Sequence, residues 1–529
     1  MSAKPMPKPA ARDDAGANNG LRRSMAWLHT WSGLLAGWLL FVIFVGGTIA
    51  CFDRELDDWM RPALHDVDRQ VAARFDPAFA QLSALAPDAH VWWAHVSGPR
   101  ERGMEAYWMM DDGSQGKRTL HPVTGQAIPS TAGGEFFFEL HWNLHAGTWG
   151  MYVVGFAGMM MLVALVAGVI THKRIFQDFF TFRPRAGGQR AWLDGHNVAG
   201  VLGLPFHLMI AYTGVAIFFT SYVFGGLNAA YGGDLERYFA EAGGFYERPE
   251  VGAPLQRLHS VDALFADAQR RMGVPVDWAA VEHPDDASAV IAFGTEHSRR
   301  VAWDMQQVVY DAATGAFLHH TPPPSAGYLT YSFLGGLHMA QFGGAPLRWL
   351  YFLLGLAGCA MLASGMQVWV RKREQRVAAA GALSGYGLVR ALNVGVVAGM
   401  PLACAAMLLG NRLLPAGLPD RAAAEVAVFV AAWALAAAWG AWRDRHGRGW
   451  RDLFAATALA MAAVPVANLA TTSSSHLLAT LPRGEWALAA VDLALLAFAA
   501  LFGWMARRAG LRSRVGARGT PVRLAAQEG

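Results

Sequence analysis

The sequence is poor in charge for its size. Of its 529 residues only 16% are charged and 54% are hydrophobic, whereas soluble domains carry about 25% charged residues. This deficit argues against a soluble protein and indicates a membrane protein. Eight apolar stretches come close to the roughly 20 residues that a helix needs to cross a bilayer. The predicted spans are 31–52, 151–170, 198–219, 347–370, 388–409, 423–442, 453–470 and 486–505.

Cysteine is also scarce. Cys51, Cys359 and Cys404 are the three cysteines, and each lies in or at the end of a predicted span. They form no C-x-x-C pair and no disulfide framework for the regions outside the spans, so we interpret them as small apolar packing residues. The sequence also lacks C-x-x-C-H, which excludes a haem attached through that motif.

Nucleotide-binding motifs and intramembrane carboxylates are missing or rare. There is no G-x-G-x-x-G after a strand and no P-loop, and the loops predicted to be cytoplasmic are too short for a flavin or nicotinamide domain. Only Asp492 lies well inside a span, and Glu425 lies near a span edge. The rarity of intramembrane carboxylates disfavours a proton relay built on them. Because no flavin or nicotinamide site is predicted, a chain that carries electrons must take them from a separate donor.

Positive charge is concentrated in alternate connections between the spans. The basic clusters lie at 4–23, 173–190, 371–376, 443–451 and 507–514. By the positive-inside rule these connections and both termini are cytoplasmic. The clusters are short and flank the spans, so we expect a lipid bilayer and no nucleic acid as partner. No cleavable signal peptide is evident.

A repeated histidine–glycine spacing marks two of the spans. His29 and His196 are each followed by glycine after four residues, and again after fourteen more. Together with two strand–turn–strand patterns around Thr-Gly pairs in the long outer connections, this spacing indicates that spans one to four are two copies of one unit. Such parallel repeats are related by an axis along the membrane normal.

The repeat places two pairs of histidines at matching depths. His29 and His196 lie at the cytoplasmic edge, and His145 and His338 lie at the outer edge. Histidine within a membrane is costly unless it is paired or functional, and neutral imidazole is an ordinary axial ligand of haem iron. Two imidazoles from different helices can hold a haem between them. We therefore predict two b-type haems, one for each pair.

Three further histidines are weaker candidates. His141 shares a helical face with His145 and is a second possible ligand, a propionate contact or, as we favour, an interfacial residue. His172 either ligates or joins a basic cluster that holds propionates. His207 lies near the bilayer midplane after Pro205 and breaks the repeat, so it is either a ligand or a residue between two haems.

Glycines and zinc have competing explanations. Glycines on the histidine-bearing faces would let a macrocycle approach the backbone, but close helix packing is the favoured explanation for them. The glycines concerned are Gly33, Gly47, Gly200 and Gly214. Structural zinc needs four ligands close together, whereas the histidine pairs are predicted on opposite membrane faces. Haem iron is thus the only metal that we predict.

Several motifs together resemble those of the PepSY-associated transmembrane helix proteins. They are WLHTWSGLL from Trp27, LHWNLHAG from Leu140, THKRIFQDFFTFRP from Thr171, WLDGHN from Trp192, and GGLH from Gly335 with FGG from Phe342. The resemblance covers residues 24–373. This chain departs from the four-span pattern of the family in its last four spans, whose role we interpret as structural or partner-binding.

The resemblance implies a function as well as a fold. The family includes iron-regulated inner-membrane ferrisiderophore reductases with PepSY-like external domains and b-haems. By this resemblance, electrons from a separate cytoplasmic or membrane donor reach ferric iron held by a siderophore in the periplasm. The implied iron ligands are His29, His145, His196 and His338, with His172 and His207 as further candidates.

The predicted fold is a membrane α-helical protein of the bacterial inner membrane with about eight transmembrane helices. Its first four helices form two pseudo-symmetric repeats that carry α+β PepSY-like periplasmic domains. The predicted division is a cytoplasmic segment (1–30), a first span (31–52), a periplasmic domain (53–140), spans two and three with their basic loop (141–222), a second periplasmic domain (223–337), a fourth span (338–373), a four-helix extension (388–506) and a cytoplasmic tail (507–529).

Two functions of other classes are also compatible with the residues. One is a non-enzymatic membrane module that binds peptides or regulates a protease through its PepSY-like domains. The other is a transporter whose midplane site includes His207. Metal-free protein, or substrate flux without an electron donor, would distinguish them from an oxidoreductase.

Overall fold

A computed structural model describes residues 13–96, 98–172, 183, 188–222, 224–295, 300–303, 305–380 and 385–518. The basic segments 4–12, 173–182 and 184–187 and the last part of the predicted tail, 519–529, lie outside the described residues. In chain order the helices are α1 (Asp13–Ala50), α2 (Asp53–Met60), α3 (Phe75–Leu85), α4 (Glu135–Trp142), α5 (Gly147–Thr171), α6 (Gly188–Leu202), α7 (Leu204–Ile217), α8 (Phe219–Tyr222), α9 (Phe224–Tyr231), α10 (Leu235–Gly243), α11 (Val261–Met272), α12 (Ala326–Met339), α13 (Gly344–Ala380), α14 (Tyr386–Asn393), α15 (Gly399–Leu413), α16 (Arg421–Asp444), α17 (Gly449–Thr471), α18 (Leu477–Thr480) and α19 (Trp486–Arg518).

The described part of the chain contains seven helical segments that are long and apolar enough to cross a membrane, and an eighth if a bent pair counts as one span. The bent pair is α6 and α7, whose axes differ by 65°. Gly203 separates the two helices and Pro205 lies in the first turn of α7. Proline cannot donate a backbone hydrogen bond and clashes with the preceding turn, which accounts for the bend. The prediction of a helical, multi-pass membrane protein is confirmed.

The strands of the described residues form one antiparallel sheet. They are β1 (Val91–Val96), β2 (Met104–Met109), β3 (Gln115–Leu120), β4 (Trp278–Glu282), β5 (Val290–Thr295), β6 (Gln306–Asp311) and β7 (Phe317–His320). Their order is β3-β2-β1-β4-β5-β6-β7. The sequence divides the two long connections into separate domains, whereas β1 and β4 pair directly and join them. We refer to this element as the extramembrane sheet.

One apolar core lies beneath the extramembrane sheet. Helices α3 and α11 contribute Phe79 and Leu264 to it, and the strands contribute Phe293 and Tyr310, all of them buried. Of the two predicted strand–turn–strand patterns, the second forms the β6–β7 pair. The first ends in an isolated bridge between Leu120 and Ala127. Each half of the protein thus contributes one helix and a group of strands to a shared core.

The last membrane helices pack against the first ones. A buried apolar cluster joins Phe41 of α1 and Met366 of α13 to Met400 of α15 and Met461 of α17. Within this region the Trp38 indole nitrogen donates a 2.8 Å hydrogen bond to the Asn393 side-chain oxygen. The extension is therefore in direct contact with α1, the helix of His29, and with α13.

Candidate functional site

The structure brings His29 and His196 together at the end of the helix bundle far from the extramembrane sheet. His29 lies on α1 and His196 on α6, and their ring centroids are 6.1 Å apart with planes at 62°. Each Nδ1 lies near a backbone carbonyl oxygen of another helix: 2.7 Å from Ala164 on α5 and 2.9 Å from Met361 on α13. We call these two residues the distal pair.

A second pair lies at the end of the bundle that faces the extramembrane sheet. His141 on α4 and His338 on α12 have ring centroids 5.9 Å apart with planes at 26°. His141 Nδ1 lies 2.8 Å from the carbonyl oxygen of Ile43. His338 Nδ1 lies 3.0 Å from the Thr213 hydroxyl. We call these residues the sheet-side pair.

The ring separations would leave room for one metal ion between the two imidazoles of each pair. Metal–imidazole bonds are about 2.0–2.1 Å long, and a ring centre lies about 1 Å beyond its nitrogen, so the two centroids should be about 6 Å apart. Both pairs have this separation. Because a carbonyl can only accept, Nδ1 of His29, His196 and His141 donates, and Nε2 keeps the lone pair for a metal.

Glycine allows each imidazole to approach its neighbouring helix. A Cβ placed on Gly168 would lie 3.1 Å from His29 Cε1, and one on Gly365 would lie 3.0 Å from His196 Cε1. In each case the carbonyl that the imidazole reaches is four residues before the glycine. Because the glycine has no side chain, the imidazole can reach the backbone carbonyl oxygen one turn earlier on the same helix.

The sheet-side pair has the same arrangement. A Cβ on Gly47 would lie 2.6 Å from His141 Nδ1, and one on Gly214 would lie 2.9 Å from His338 Cε1. Of the four glycines singled out in the sequence, these two contact the paired histidines. A Cβ on Gly33 would meet nothing within 4 Å, and one on Gly200 would face Met361.

The structure places His145 elsewhere. Its Nε2 lies 2.9 Å from the carbonyl oxygen of Phe136, and its Nδ1 lies 2.9 Å from a carboxylate oxygen of Glu139. The bond from His145 lowers the pKa of the Glu139 carboxyl. The predicted pairing of His145 with His338 is therefore not the pairing that the structure forms, since His141 takes that place.

Local backbone geometry explains the difference. A helix that began before His141 would place His141 and His145 on one face, but α4 ends at Trp142 and α5 begins at Gly147. Between them Leu144 and His145 have positive φ angles of 56° and 53°, which are uncommon for residues with a side chain. Asn143 stabilises this turn by accepting a 2.8 Å hydrogen bond from the His145 backbone.

Burial sets the charge state of the sheet-side pair. His141 and His338 lie outside the helical segments long enough to span the membrane, and burial lowers the pKa of both imidazoles. Both are therefore neutral near pH 7. Neutral imidazole is the form that binds metal, so the chemistry of these side chains suits ligation.

His207 is fully buried and stands apart from the two pairs. Its Nε2 lies 3.3 Å from the Leu354 carbonyl oxygen, while its Nδ1 has no hydrogen-bond partner within the described residues. Its ring is 5.9 Å from that of Phe44. Thr213, whose hydroxyl contacts His338, is about two helical turns further along α7. His207 therefore lies between the pairs, which is one of the two interpretations that its sequence position allows.

His172 lies next to the distal pair in the fold. It ends α5, and its Nε2 is 3.3 Å from the side-chain nitrogen of Asn197, the neighbour of His196. Its Nδ1 is buried and has no hydrogen-bond partner in the described part of the chain. The basic residues that follow it, with which His172 would form a propionate-holding cluster if it is not a ligand, lie mostly outside the described residues.

The sequence contains a signal for His141 in addition to the repeat at the span starts. Twenty-seven residues separate His141 from Gly168, and the same number separate His338 from Gly365. In each half, the histidine of the sheet-side pair therefore lies the same number of residues before the glycine that contacts a histidine of the distal pair. Aligning the halves on this spacing makes His141, rather than His145, the equivalent of His338.

The part of the chain that carries the paired histidines matches a known protein family. Residues 26–372 match the PepSY-associated TM region family. The chain belongs to this family. The match to the PepSY-associated TM region contains all four paired histidines and ends within α13, so the resemblance seen in the sequence is confirmed and the last four spans lie beyond it.

A relative from Pseudomonas aeruginosa is similar to a large part of this chain. The chain is 28% identical over 410 residues to the uncharacterized protein PA4219 of Pseudomonas aeruginosa. The aligned region is 71% of this chain and 95% of the relative. The similarity therefore extends over nearly the whole length of the relative.

Proposed function

We propose that this protein is an inner-membrane oxidoreductase that carries electrons to ferric iron held by a siderophore in the periplasm. It would bind two b-type haems, one between His29 and His196 and one between His141 and His338. When bound, each haem supplies a one-electron redox couple. This assignment keeps three of the four ligands predicted from the sequence and replaces His145 by His141.

One observation carries the proposal: two histidine pairs with centroid separations of 6.1 and 5.9 Å. Each pair combines residues from two different helices, and each Nδ1 is held by a hydrogen bond from outside its own helix. Such bonds fix the tautomer and orientation of metal-ligating imidazoles. A pair of histidines that merely filled helix interfaces would not require this arrangement twice.

The spacing along α1 supports transport of electrons across the membrane. His29 belongs to the distal pair, and the Ile43 carbonyl holds His141 of the sheet-side pair. Fourteen residues separate these positions, which corresponds to about 21 Å along a helix. His207 lies between the two levels. Two centres at different depths favour electron transfer over a single binding site.

The proposed orientation follows from charge. Arg371 lies near the end of a span, and Arg443 and Arg451 lie at the connected ends of α16 and α17. The positive-inside rule makes this side cytoplasmic. Both termini would then be cytoplasmic and the sheet periplasmic. A separate cytoplasmic or membrane donor would supply the distal pair, and the sheet side would meet the ferric siderophore.

A spectroscopic experiment on the purified protein tests the cofactor assignment. Reduced-minus-oxidised spectra and haem extraction should give two b-type haems per chain. We expect His29→Ala and His196→Ala to remove the same haem, and His141→Ala and His338→Ala to remove the other. His145→Ala is the matched control and should retain both. Protein without a Soret band would refute the proposal.

A second experiment tests the reaction. Proteoliposomes with a reductant on one side and a ferric siderophore plus a ferrous-specific chelator on the other should form the ferrous complex. We expect His29→Ala and His141→Ala each to lower that rate at least tenfold, because each interrupts a different centre. If the protein contained haem but reduced no ferric siderophore, the proposed electron acceptor would be wrong, whereas the proposed role as an electron carrier would remain.

A further inference from the structure

The extramembrane sheet carries a second cluster of metal-ligating side chains at the seam, by which we mean the place where β1 pairs with β4 and the two halves of the sheet meet. His90, Glu250 and His283 each offer a ligand atom, and these atoms all lie within 4.8 Å of one another. A fourth group is close, because His90 Nδ1 lies 3.4 Å from a carboxylate oxygen of Asp111. None of these residues belongs to the histidine pairs of the membrane region.

Backbone contacts hold the two imidazoles in place. His90 directly precedes β1, and its backbone nitrogen donates a 2.8 Å hydrogen bond to Met109. His283 directly follows β4, and its backbone nitrogen donates a 2.8 Å hydrogen bond to the His90 carbonyl. Because β1 and β4 are paired, the two rings lie side by side, with centroids 4.5 Å apart and planes at 87°.

The carboxylates complete the donor set. A Glu250 oxygen lies 2.7 Å from His283 Nδ1 and 3.7 Å from His90 Nδ1. The His283 side chain is 14% exposed, whereas that of Glu250 is 55% exposed. The imidazoles are thus the fixed part of the cluster, and the carboxylate is free to adjust its rotamer.

We propose that His90, His283 and Glu250, with Asp111 as a fourth ligand, bind a divalent first-row transition-metal ion at this seam. Ligand atoms around such an ion, at bonds of about 2.0–2.2 Å, lie roughly 3–4 Å apart. The Glu250 oxygen lies 2.7 and 3.7 Å from the two Nδ1 atoms, and no separation among the three residues exceeds 4.8 Å. Two imidazoles with carboxylates are a donor set that zinc and ferrous iron share, and hard ions such as magnesium prefer oxygen ligands alone.

The position of the site gives the ion a structural consequence. His90 and Asp111 come from the first long connection, and Glu250 and His283 come from the second. A bound ion would therefore link the two halves of the sheet across the β1–β4 seam. Since an ion that binds only the folded protein stabilises it, metal should raise the unfolding temperature of the sheet.

Titration of the purified full-length protein with Zn²⁺ against a chromophoric chelator tests the site. We expect one saturable site per chain, with affinity lowered more than tenfold by His90→Ala or His283→Ala and less severely by Glu250→Gln. His320→Ala, at an exposed position of β7, is the matched control and should bind as the wild type does. Mg²⁺ at the same concentration should not compete.

A measurement on the wild type keeps the proposal testable if a variant fails to fold. Co²⁺ bound to the wild type should give the intense visible bands of a low-symmetry site with nitrogen and oxygen ligands. Haem absorbance, measured in parallel, should be the same in wild type and variants, which separates this site from the histidine pairs. A wild type without saturable Zn²⁺ binding, or a folded His90→Ala/His283→Ala double variant that still binds, would overturn the assignment.

Discussion

At the scale of single residues, the paired histidines depend on what their neighbours lack. Each imidazole passes a glycine on an adjacent helix, namely Gly168, Gly365, Gly47 or Gly214. A methyl group there would lie 2.6–3.1 Å from the ring, closer than normal van der Waals contact. The position of each imidazole is thus set jointly by the histidine and by the glycine opposite it.

Gly47→Ala should therefore disturb the sheet-side pair. The new Cβ would lie 2.6 Å from His141 Nδ1, at the atom that bonds Ile43, so the ring must move and its orienting bond must break. We expect haem per chain to fall from two towards one in extracted protein, with the distal spectrum unchanged.

Gly33→Ala is the matched control for that variant. It lies on the same helix, and a Cβ there meets nothing within 4 Å, so it should keep both haems. Alanine in a helix interior is favoured over glycine by about 0.5–1 kcal/mol, which should leave stability equal or slightly higher. Equal haem loss in both variants would contradict the role given to Gly47.

His65 offers a test by pH outside the membrane helices. Its ring is buried between Ser475 and the Asp58 carbonyl oxygen, 2.6 Å from Nε2, and burial lowers its pKa to about 4. The unfolded chain, with a histidine pKa near 6.5, then binds more protons between pH 4 and 6.5. Stability should fall as pH decreases through that window.

Thermal unfolding of wild type and His65→Gln across this window measures the effect. The wild type should lose stability by up to about 3 kcal/mol more than the variant between pH 6.5 and pH 4. His320→Gln, at an exposed position, should follow the wild type. Parallel pH curves for wild type and His65→Gln would show that His65 does not titrate as proposed.

Much of the site can be predicted from residues alone, and one position shows where that fails. His29, His196 and His338 follow from repeat register. His141 and His145 share a face of an ideal helix, so periodicity cannot separate them, whereas the chain leaves the helix at Asn143. Leu144 and His145 adopt a left-handed turn without a glycine that would predict it. The histidine-to-glycine spacing that both halves share is therefore the signal that distinguishes His141 from His145.

At the scale of elements, the two helices that pack against the extramembrane sheet, α3 and α11, cap each other's N-terminus. Asp76 of α3 accepts hydrogen bonds of 2.7 Å from the Val261 backbone and 2.6 Å from the Ser260 hydroxyl. Asp262 of α11 accepts a 2.7 Å hydrogen bond from the Phe75 backbone. Each carboxylate thus meets the free N–H groups of the other helix, where negative charge is also favoured by the helix dipole.

Removing either cap should loosen the sheet without affecting the histidine pairs. We expect Asp76→Ala and Asp262→Ala each to cost about 0.5–2 kcal/mol of stability, and the double variant to cost less than their sum because the sites adjoin. Limited proteolysis and thermal unfolding measure this. Asp88→Ala, at an exposed position, should be neutral, and strictly additive losses would argue against a coupled pair of caps.

The limits of prediction at this scale are also physical. Apolar length is enough to locate the spans, because a bilayer demands it. Pairing of β1 with β4 is not predictable in the same way, since it joins strands from connections that lie on either side of two spans. Local patterns describe a strand, but its partner depends on how the membrane helices position the two connections.

At the scale of the whole molecule, the last spans are attached to the region that carries the sheet-side pair. Glu425 of α16 is fully buried and accepts hydrogen bonds of 2.6 Å from the Thr131 hydroxyl and 2.8 Å from the Ala132 backbone. Asn411 of α15 donates a further 2.8 Å bond to Glu425. These contacts hold the segment just before α4, the helix of His141, so the extension has a structural link to the site although it lies outside the family match.

Glu425→Gln should weaken this link and act selectively on one centre. The substitution removes the charge that faces Arg421, 3.0 Å away. It also places an amide nitrogen, which cannot accept, where a carboxylate oxygen accepts two hydrogen bonds, and each group left unsatisfied costs about 1–3 kcal/mol. We expect a lower unfolding temperature, together with a shifted midpoint potential or partial loss of the haem assigned to His141 and His338. Glu374→Gln removes an exposed ion pair with Arg371 worth at most about 1 kcal/mol, and it should change neither property. If Glu425→Gln affected the His29–His196 centre equally, the extension would act on the fold as a whole, and the specific support of α4 would be ruled out.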